Sequence, residues 1–119
     1  MKKQLTALEL HYLLAELDLE GAKVDQVYQQ GKEELVFRFH KPGEGKRMIR
    51  IMLPGMMYLT KYKGKQPDTP PAFCHFLRKR LRNSRLRQAE QIRFERIVDF
   101  IFETKERKYH MIVELFSDG

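Results

Sequence analysis

The chain has 119 residues, 42% of them hydrophobic, and a formal net charge of +7 at pH 7. This length fits one domain, and the apolar fraction supplies a buried core, which excludes a wholly disordered protein. The single cysteine, Cys74, excludes an internal disulfide framework and a zinc site built from several cysteines. Because no apolar run could cross a bilayer and residues 1–20 lack a signal-peptide pattern, we predict a cytoplasmic protein with no membrane partner.

Most of the positive charge is concentrated in one part of the sequence. Residues 78–96 contain eight basic and two acidic side chains, whereas the rest of the chain has 15 basic and 14 acidic ones. Seven of the eight are arginines, whose planar guanidinium pairs with phosphate, so we predict one surface that binds a polyanion. A solvated helix face with charged strand ends is the alternative. The predicted basic patch consists of Arg78, Lys79, Arg82, Arg85, Arg87 and Arg93.

The first half of the chain predicts a helix followed by strands. Thr6 and Glu9 have the spacing of a capping box, leucines follow at helical spacing, and Gly21 is the expected stop. Apolar alternation and turn residues then predict strands at 23–29, 34–40, 47–53 and 58–60.

The second half repeats this order. Thr69 and Pro70 predict the N-cap and first turn of a second helix, whose apolar face would be formed by Phe73, Phe76, Leu77 and Leu81. Strand-like segments follow at 85–93, 96–104 and 109–116. The connections have hairpin length, so we predict a single α+β domain over residues 1–119, with antiparallel β-sheets and two amphipathic helices.

The sequence contains no recognisable catalytic arrangement. The four histidines and Cys74 lack the spacing of metal ligands, and there is no glycine-rich phosphate loop, serine nucleophile motif or suitably spaced carboxylate pair. Cys74 lies beside the apolar stripe of the second helix, where a small core residue is expected. We therefore predict no catalytic residue, no metal, no cofactor and no enzymatic activity.

Several segments together resemble one known family. Residues 69–81 read TPPAFCHFLRKRL, and this stretch resembles the NFACT family, the ribosome-associated quality-control factors called RqcH in prokaryotes and NEMF in animals. Residues 5–10, 24–29, 90–98 and 113–115 are similar to further segments of the family in the same order and spacing. The resemblance covers nearly the whole chain.

The resemblance implies a fold, a partner and a role. The fold would be that of the N-terminal NFACT domain, here incomplete and part of a longer protein, and similar to the N-terminal domain of formamidopyrimidine-DNA glycosylases. In the family this domain binds tRNA on a large ribosomal subunit that holds a stalled peptidyl-tRNA. The factor supports untemplated C-terminal tailing of the nascent chain, mainly with alanine in prokaryotes, while the ribosome forms the bonds.

The resemblance also implies site residues. Glu95 and Arg96 occupy the positions of a tRNA-contacting Asp-Arg pair, with Glu95 where the family usually has aspartate. Glu114 and Leu115 occupy positions that approach the anticodon loop. From the residues alone, Glu95 and Arg96 also fit an ordinary turn with an exposed ion pair.

Two other functions and one assembly remain open. A DNA-binding, glycosylase-like domain would lack lyase activity, because Lys2 stands where those enzymes have a proline amine. A protein-binding domain of the fibronectin-binding type is the other alternative. Residues 109–116 are apolar and β-prone near the end of the sequence, so we also expect a homodimer formed by pairing of this edge.

Overall fold

The computed structural model describes residues 4–64, 66–67 and 69–116. These residues form two helices and seven strands: α1 (Ala7–Leu17), β1 (Lys23–Gln30), β2 (Glu34–Lys41), β3 (Gly45–Met52), β4 (Met56–Thr60), α2 (Ala72–Leu81), β5 (Arg85–Gln91), β6 (Ile97–Glu103) and β7 (Lys108–Glu114). The strands belong to one antiparallel sheet in the order β4-β3-β2-β1-β5-β6-β7. The predicted α+β class is confirmed, and each predicted strand lies within three residues of its observed bounds.

The first helix begins as predicted but ends earlier. The Thr6 hydroxyl accepts from the Glu9 N–H at 3.0 Å, and the Glu9 carboxylate accepts from the Thr6 N–H at 2.9 Å, which completes the capping box. The helix stops at Asp18, which takes a left-handed conformation with φ of 47°. The prediction that Gly21 ends this helix is therefore wrong. Gly21 lies in the turn before β1, and its N–H donates to the Leu86 carbonyl at 2.7 Å.

The sheet is folded over on itself between β1 and β5. In the described chain these strands are in register at one residue pair, Lys23 with Arg85. Neighbouring strands lie about 4.8 Å apart, so in a flat sheet β2 and β6 would be roughly 14 Å apart. The rings of Phe37 on β2 and Phe102 on β6 are instead stacked, with centroids separated by 6.0 Å. The half-sheets β1–β4 and β5–β7 therefore pack face to face.

The core lies between these two half-sheets. Burial alternates along β6, where Val98, Phe100 and Phe102 point inward. Leu10 and Leu17 of α1 join the same cluster. A row of stacked rings crosses the core, formed by Phe37, Phe39, Phe100 and Phe102.

The second helix differs from its prediction in start and in orientation. It begins at Ala72 after Pro71, so Thr69 and Pro70 lie before the helix and Thr69 provides no side-chain cap. Phe73 and Phe76, predicted for the buried face, are 51% and 46% exposed. The buried side chains are Cys74, Leu77 and Leu81.

The reason for this orientation is the open edge of β1. The Cys74 thiol and the Arg78 Nε–H both donate to the Val27 carbonyl, at 3.3 and 2.7 Å. Because β1 leaves β5 after one pair, this carbonyl needs donors from another element, and α2 supplies them. Burial raises the pKa of the Cys74 thiol, although the positive charge of Arg78 acts in the opposite direction. The prediction of Cys74 as a core residue is confirmed.

We expect the ring contact across the fold to dominate stability. Phe102→Ala should lower the free energy of unfolding by about 3–5 kcal/mol, because it leaves a cavity between the half-sheets. Phe73→Ala is the matched control and should cost about 1 kcal/mol or less, since this ring is half exposed. Denaturant titration followed by circular dichroism measures both. Equal losses would contradict the folded-sheet account.

The strand β7 forms one edge of the sheet, and its Ile112 side chain is 55% exposed. An edge with open backbone groups and an apolar side chain favours pairing with another copy. We therefore expect concentration-dependent dimers, and Ile112→Lys should shift them to monomers. Light scattering measures the mass, with Leu59→Lys on the opposite edge strand β4 as control. A monomeric mass at high concentration would contradict this expectation.

Candidate nucleic-acid interface

The basic residues of 78–96 do not form one surface, which corrects the prediction from the charge distribution. Arg85 is in register with Glu103 at one end of β5 and β6, whereas Arg93 and Arg96 lie in the turn at the other end. Six residue steps along β5 correspond to roughly 20 Å. The strand therefore carries the two parts of the charge run to opposite ends of the half-sheet.

At the first end, α2 meets the β6–β7 loop in a basic groove. The groove has a volume of about 550 Å³ and is lined by Lys79, Arg80, Arg82, Thr104, Lys105, Glu106, Arg107 and Tyr109. The loop residues Lys105 and Arg107 were not among the predicted patch residues. The groove thus joins two predicted patch residues, Lys79 and Arg82, with basic residues that the sequence places more than 20 positions away.

Three members of the predicted patch are bonded within the protein. Arg78 donates to the Val27 carbonyl, Arg85 donates to the Gly21 carbonyl at 3.1 Å, and Arg87 forms an ion pair with Glu103 at 2.8 Å. Their charges still add to the local field. Their guanidinium donors are partly used. Arg87 nevertheless remains exposed, as do Lys79, Arg82 and Arg93.

At the other end, residues 92–96 form a tight turn between β5 and β6. The Glu95 N–H donates to the Ile92 carbonyl at 2.8 Å, and the two residues between them, Arg93 and Phe94, have φ values of 50° and 56°. Positive φ at both central positions is the signature of a type I′ turn, where glycine or asparagine is usual. Arginine and phenylalanine adopt it at a conformational cost, and such strain is concentrated at functional sites.

The strained turn presents three different side chains side by side. Arg93, Phe94 and Glu95 are all exposed, and the Phe94 ring lies with its centroid 5.6 Å from the ring of His11 on α1. The Gln91 side-chain amide donates to the carbonyls of Glu95 at 2.8 Å and Ala7 at 2.9 Å, which ties the turn to the start of α1. Phe94 was missed from the sequence, although an aromatic residue between Arg93 and Glu95 is a signal for base stacking.

Arg96 is half-buried and is held by the N-terminal segment. Its Nη1 donates to the Gln4 carboxamide oxygen at 2.9 Å, so Arg96 binds Gln4 rather than forming an ion pair with Glu95. Gln4 itself packs on Gly55, where an added Cβ would lie within 3.1 Å of the Gln4 Cα. The missing side chain at residue 55 therefore lets Gln4 reach Arg96.

The structure brings the two predicted pairs together. The Leu115 N–H donates to the Arg96 carbonyl at 2.7 Å, and Glu114 is in register with Ile97. Glu114 is exposed beside Arg96, whereas the Leu115 side chain is completely buried in the core. Leu115 thus fixes the position of this end of β7, and Glu114 is the member of its pair with a side chain at the surface.

The described residues contain neither a metal site nor a membrane-spanning helix. No group of three or more histidine, cysteine, aspartate or glutamate side chains in that part of the chain is arranged to hold a metal ion. None of the helices formed by residues 4–64, 66–67 and 69–116 has the length and apolar character needed to cross a membrane. Lys2, on which the sequence argument against lyase chemistry depends, lies outside the described residues.

A family model described as NFACT N-terminal and middle domains matches residues 6–118. The chain belongs to the NFACT family. Among NFACT relatives, the archaeal Rqc2 homolog aRqcH of Methanocaldococcus jannaschii is 34% identical over 125 aligned residues, covering all of this chain and 19% of the relative. The ribosome quality control complex subunit NEMF of Homo sapiens is 32% identical over 121 residues, covering all of this chain and 11% of the relative. The chain therefore spans less than a fifth of the length of these curated relatives.

Two solved structures have the same fold. The N-terminal part of the fibronectin/fibrinogen-binding protein from Streptococcus suis superposes with a TM-score of 0.87 and 23% identity, over 96% of this chain and 46% of that one. The N-terminal domain of the fibronectin-binding protein PavA from Streptococcus pneumoniae gives a TM-score of 0.85 and 21% identity, over 95% and 46%. At this identity the likeness establishes the shared fold alone.

The strain in the turn can be measured at Arg93, which is exposed. Arg93→Gly should leave the free energy of unfolding unchanged or raise it by up to about 1 kcal/mol, because glycine adopts positive φ without steric cost. Arg93→Val should lower it by about 1–2 kcal/mol, because a β-branched residue opposes this conformation. Thermal unfolding of both variants provides the comparison. A more stable Arg93→Val than Arg93→Gly would contradict the type I′ assignment.

Proposed function

We propose that this domain binds tRNA through the turn at residues 92–96 together with Glu114. The observation that carries the proposal is the convergence of both predicted pairs, since Arg96 and Leu115 share a backbone hydrogen bond. A cation, an aromatic ring and a carboxylate are exposed in succession at Arg93, Phe94 and Glu95. This combination matches what RNA offers, namely phosphate, base faces and 2′-hydroxyl groups.

Each side chain has a separate role in this proposal. Arg93 and Arg96 donate to backbone phosphate, and Arg96 is positioned for it by its bond to Gln4. Phe94 stacks on an unpaired base, which is how aromatic residues read single-stranded loops. Glu95 and Glu114 accept from a base edge or a ribose hydroxyl, and their negative charge limits binding by duplexes that offer only phosphate.

The tRNA would be bound within a ribosome-associated quality-control factor. Relatives carry the names Rqc2 homolog and ribosome quality control complex subunit, and this chain matches their family over residues 6–118. In this role the domain acts in the cytoplasm on a large ribosomal subunit with a stalled peptidyl-tRNA. It supports C-terminal alanine tailing, for which the ribosome supplies the bond-forming chemistry and the domain supplies binding.

Protein binding is the second candidate, because an apolar groove lies between α2 and the edge strand β7. It has a volume of about 360 Å³, and Phe73, Phe76 and Ile112 line it with exposed apolar surface. The solved relatives from streptococci are named for fibronectin binding. Loss of fibronectin binding in the Ile112→Lys variant with unchanged tRNA affinity would assign the two functions to separate surfaces.

The decisive comparison for tRNA binding is between Arg96 and Arg82. Arg96→Ala should lose about 1–3 kcal/mol of tRNA affinity, and Arg96→Lys should recover part of it, because ammonium keeps the charge without the planar fork. Arg82→Ala, the control in the basic groove, should cost less and act through salt-sensitive attraction. Fluorescence anisotropy with labelled tRNA at several salt concentrations measures all three.

Circular dichroism on the same variants separates binding from folding. Arg96→Ala removes the hydrogen bond to Gln4, so we expect a modest decrease in thermal stability. Arg96→Lys also removes the guanidinium but keeps the charge, so it serves as the control for this loss of stability. Equal affinity losses for Arg96→Ala and Arg82→Ala would mean that Arg96 contributes only general electrostatic attraction. That result would contradict the proposed site.

A further inference from the structure

A second cationic surface lies on the outer face of β2, β3 and β4. Arg38 is in register with Met48, which is in register with Thr60, so the three side chains form a row across the strands on the face opposite the core. The row forms the floor of a cleft of about 740 Å³. The cleft is lined by Arg38, Lys46, Met48, Thr60, Lys61, Tyr62, Lys63 and Gly64, a set without an acidic side chain among the described residues.

A bulge in β1 fixes the arginine of this cleft. The register of β1 with β2 shifts between Val24 and Gln26, so Asp25 is the extra residue. Bulges redirect a side chain, and here Asp25 accepts from the Arg38 Nε at 2.7 Å. The guanidinium carbon of Arg38 lies 5.6 Å from the centre of the Tyr28 ring.

Three cations converge on that ring. Lys63 Nζ lies 4.9 Å and the Arg78 guanidinium carbon 5.7 Å from the Tyr28 centroid, in addition to Arg38. Each cation–π contact contributes only about 0.5–2 kcal/mol, while the like charges repel one another. Arg38 has Asp25 as a counter-charge, and an added anion would stabilise the whole cluster. Arg78, predicted as part of the basic patch, thus belongs to this surface.

The rim of the cleft is held in place before any ligand binds. The Arg50 Nη2 donates to the Tyr62 carbonyl at 2.6 Å, and Arg50 also pairs with Glu34. The Tyr62 N–H donates to the Thr60 hydroxyl at 3.2 Å. The Tyr62 ring is 75% exposed on this fixed loop. A preorganised rim reduces the entropy lost on binding, and an exposed ring supplies a stacking platform.

The cleft is separate from the turn at residues 92–96. Gly55, just beyond the end of β3, accepts from the Leu5 N–H at 2.7 Å, next to the Gln4 that binds Arg96. Lys46 stands near the other end of β3, roughly 20 Å away along the strand. A ligand in the cleft would therefore extend the proposed interface rather than occupy it.

We propose that this cleft binds the phosphodiester backbone of a single RNA strand, with Tyr62 stacking on one base. The cations are distributed over a cleft far larger than one phosphate needs, which favours a chain of phosphates over a single anion. The inference rests on the proposed tRNA-binding function for the choice of RNA as the polyanion. The cations that line the cleft and the exposed ring of Tyr62 are observed independently of that proposed function.

The test compares two double variants with the same change in charge. Lys61→Gln/Lys63→Gln removes two cleft cations, and Lys32→Gln/Lys108→Gln removes two exposed lysines that do not line the cleft. The probe is a fluorescein-labelled 12-nucleotide oligouridylate, titrated from about 50 to 200 mM salt. The cleft variant should bind at least about fivefold more weakly at the lower salt, and its slope of log K against log salt should fall by about 1.4, the value for two lost contacts to a single strand. The control should change affinity less than about twofold.

Tyr62 provides a second measurement that does not involve charge. Tyr62→Ala should weaken oligouridylate binding about fivefold or more, while Tyr62→Phe should retain it, because stacking needs the ring and not the hydroxyl. Circular dichroism establishes that each variant is folded. Equal losses in the cleft and control variants, an unchanged salt slope, or full affinity in Tyr62→Ala would overturn the proposal. So would competition by inorganic phosphate or uridine monophosphate at the phosphate-equivalent concentration of the oligomer.

Arg96→Ala distinguishes this inference from the proposed function. tRNA binding should be weakened both by Arg96→Ala and by the cleft variant. If only Arg96→Ala weakens tRNA binding, the cleft proposal is wrong and the turn stands. If only the cleft variant weakens it, the turn is wrong and the cleft stands.

Discussion

The contact between Phe37 and Phe102 determines the rest of this structure. It brings β2 and β6 together although three strand spacings separate them in the sheet, so the sheet must turn sharply between β1 and β5. The turn leaves most of one edge of β1 without β5, and α2 covers it through the bonds of Cys74 and Arg78 to Val27. The basic groove, the cleft and the turn at residues 92–96 are separate surfaces for this reason, since the fold places α2, the outer face of β2–β4 and the ends of β5–β7 on different sides.

The parts of the fold that depend on local sequence were predictable. The capping box of Thr6 and Glu9 and the strand-like composition of residues 96–104 involve residues within a few positions of one another, and both the cap and β6 are observed. The face of α2 was not predictable, because the open carbonyl edge of β1 decides which side of the helix is buried. The type I′ turn at Arg93 and Phe94 was also missed, since neither residue is one that this turn usually selects.

The candidate site was likewise predictable only in part from the sequence. The resemblance identified the segments of Glu95–Arg96 and Glu114–Leu115, but only the β6–β7 pairing reveals that they are neighbours and that the Leu115 side chain is buried. The distribution of charge along the sequence led to two wrong expectations. It joined Arg82 and Arg93, which the length of β5 separates, and it overlooked the cleft because Lys46, Lys61 and Lys63 lie in a part of the sequence with balanced charge.

The narrow junction between β1 and β5 has a consequence for how the chain folds. Each half-sheet is a meander whose neighbouring strands are consecutive in sequence, so its hydrogen bonds have low contact order and can form early. Joining the two meanders depends on side-chain packing together with four backbone hydrogen bonds between residues 21–24 and 83–86, which are far apart in sequence. We therefore expect docking of the meanders to limit the folding rate. The segment before α1 bonds to both meanders through Leu5 and Gln4, so its attachment reports when docking is complete.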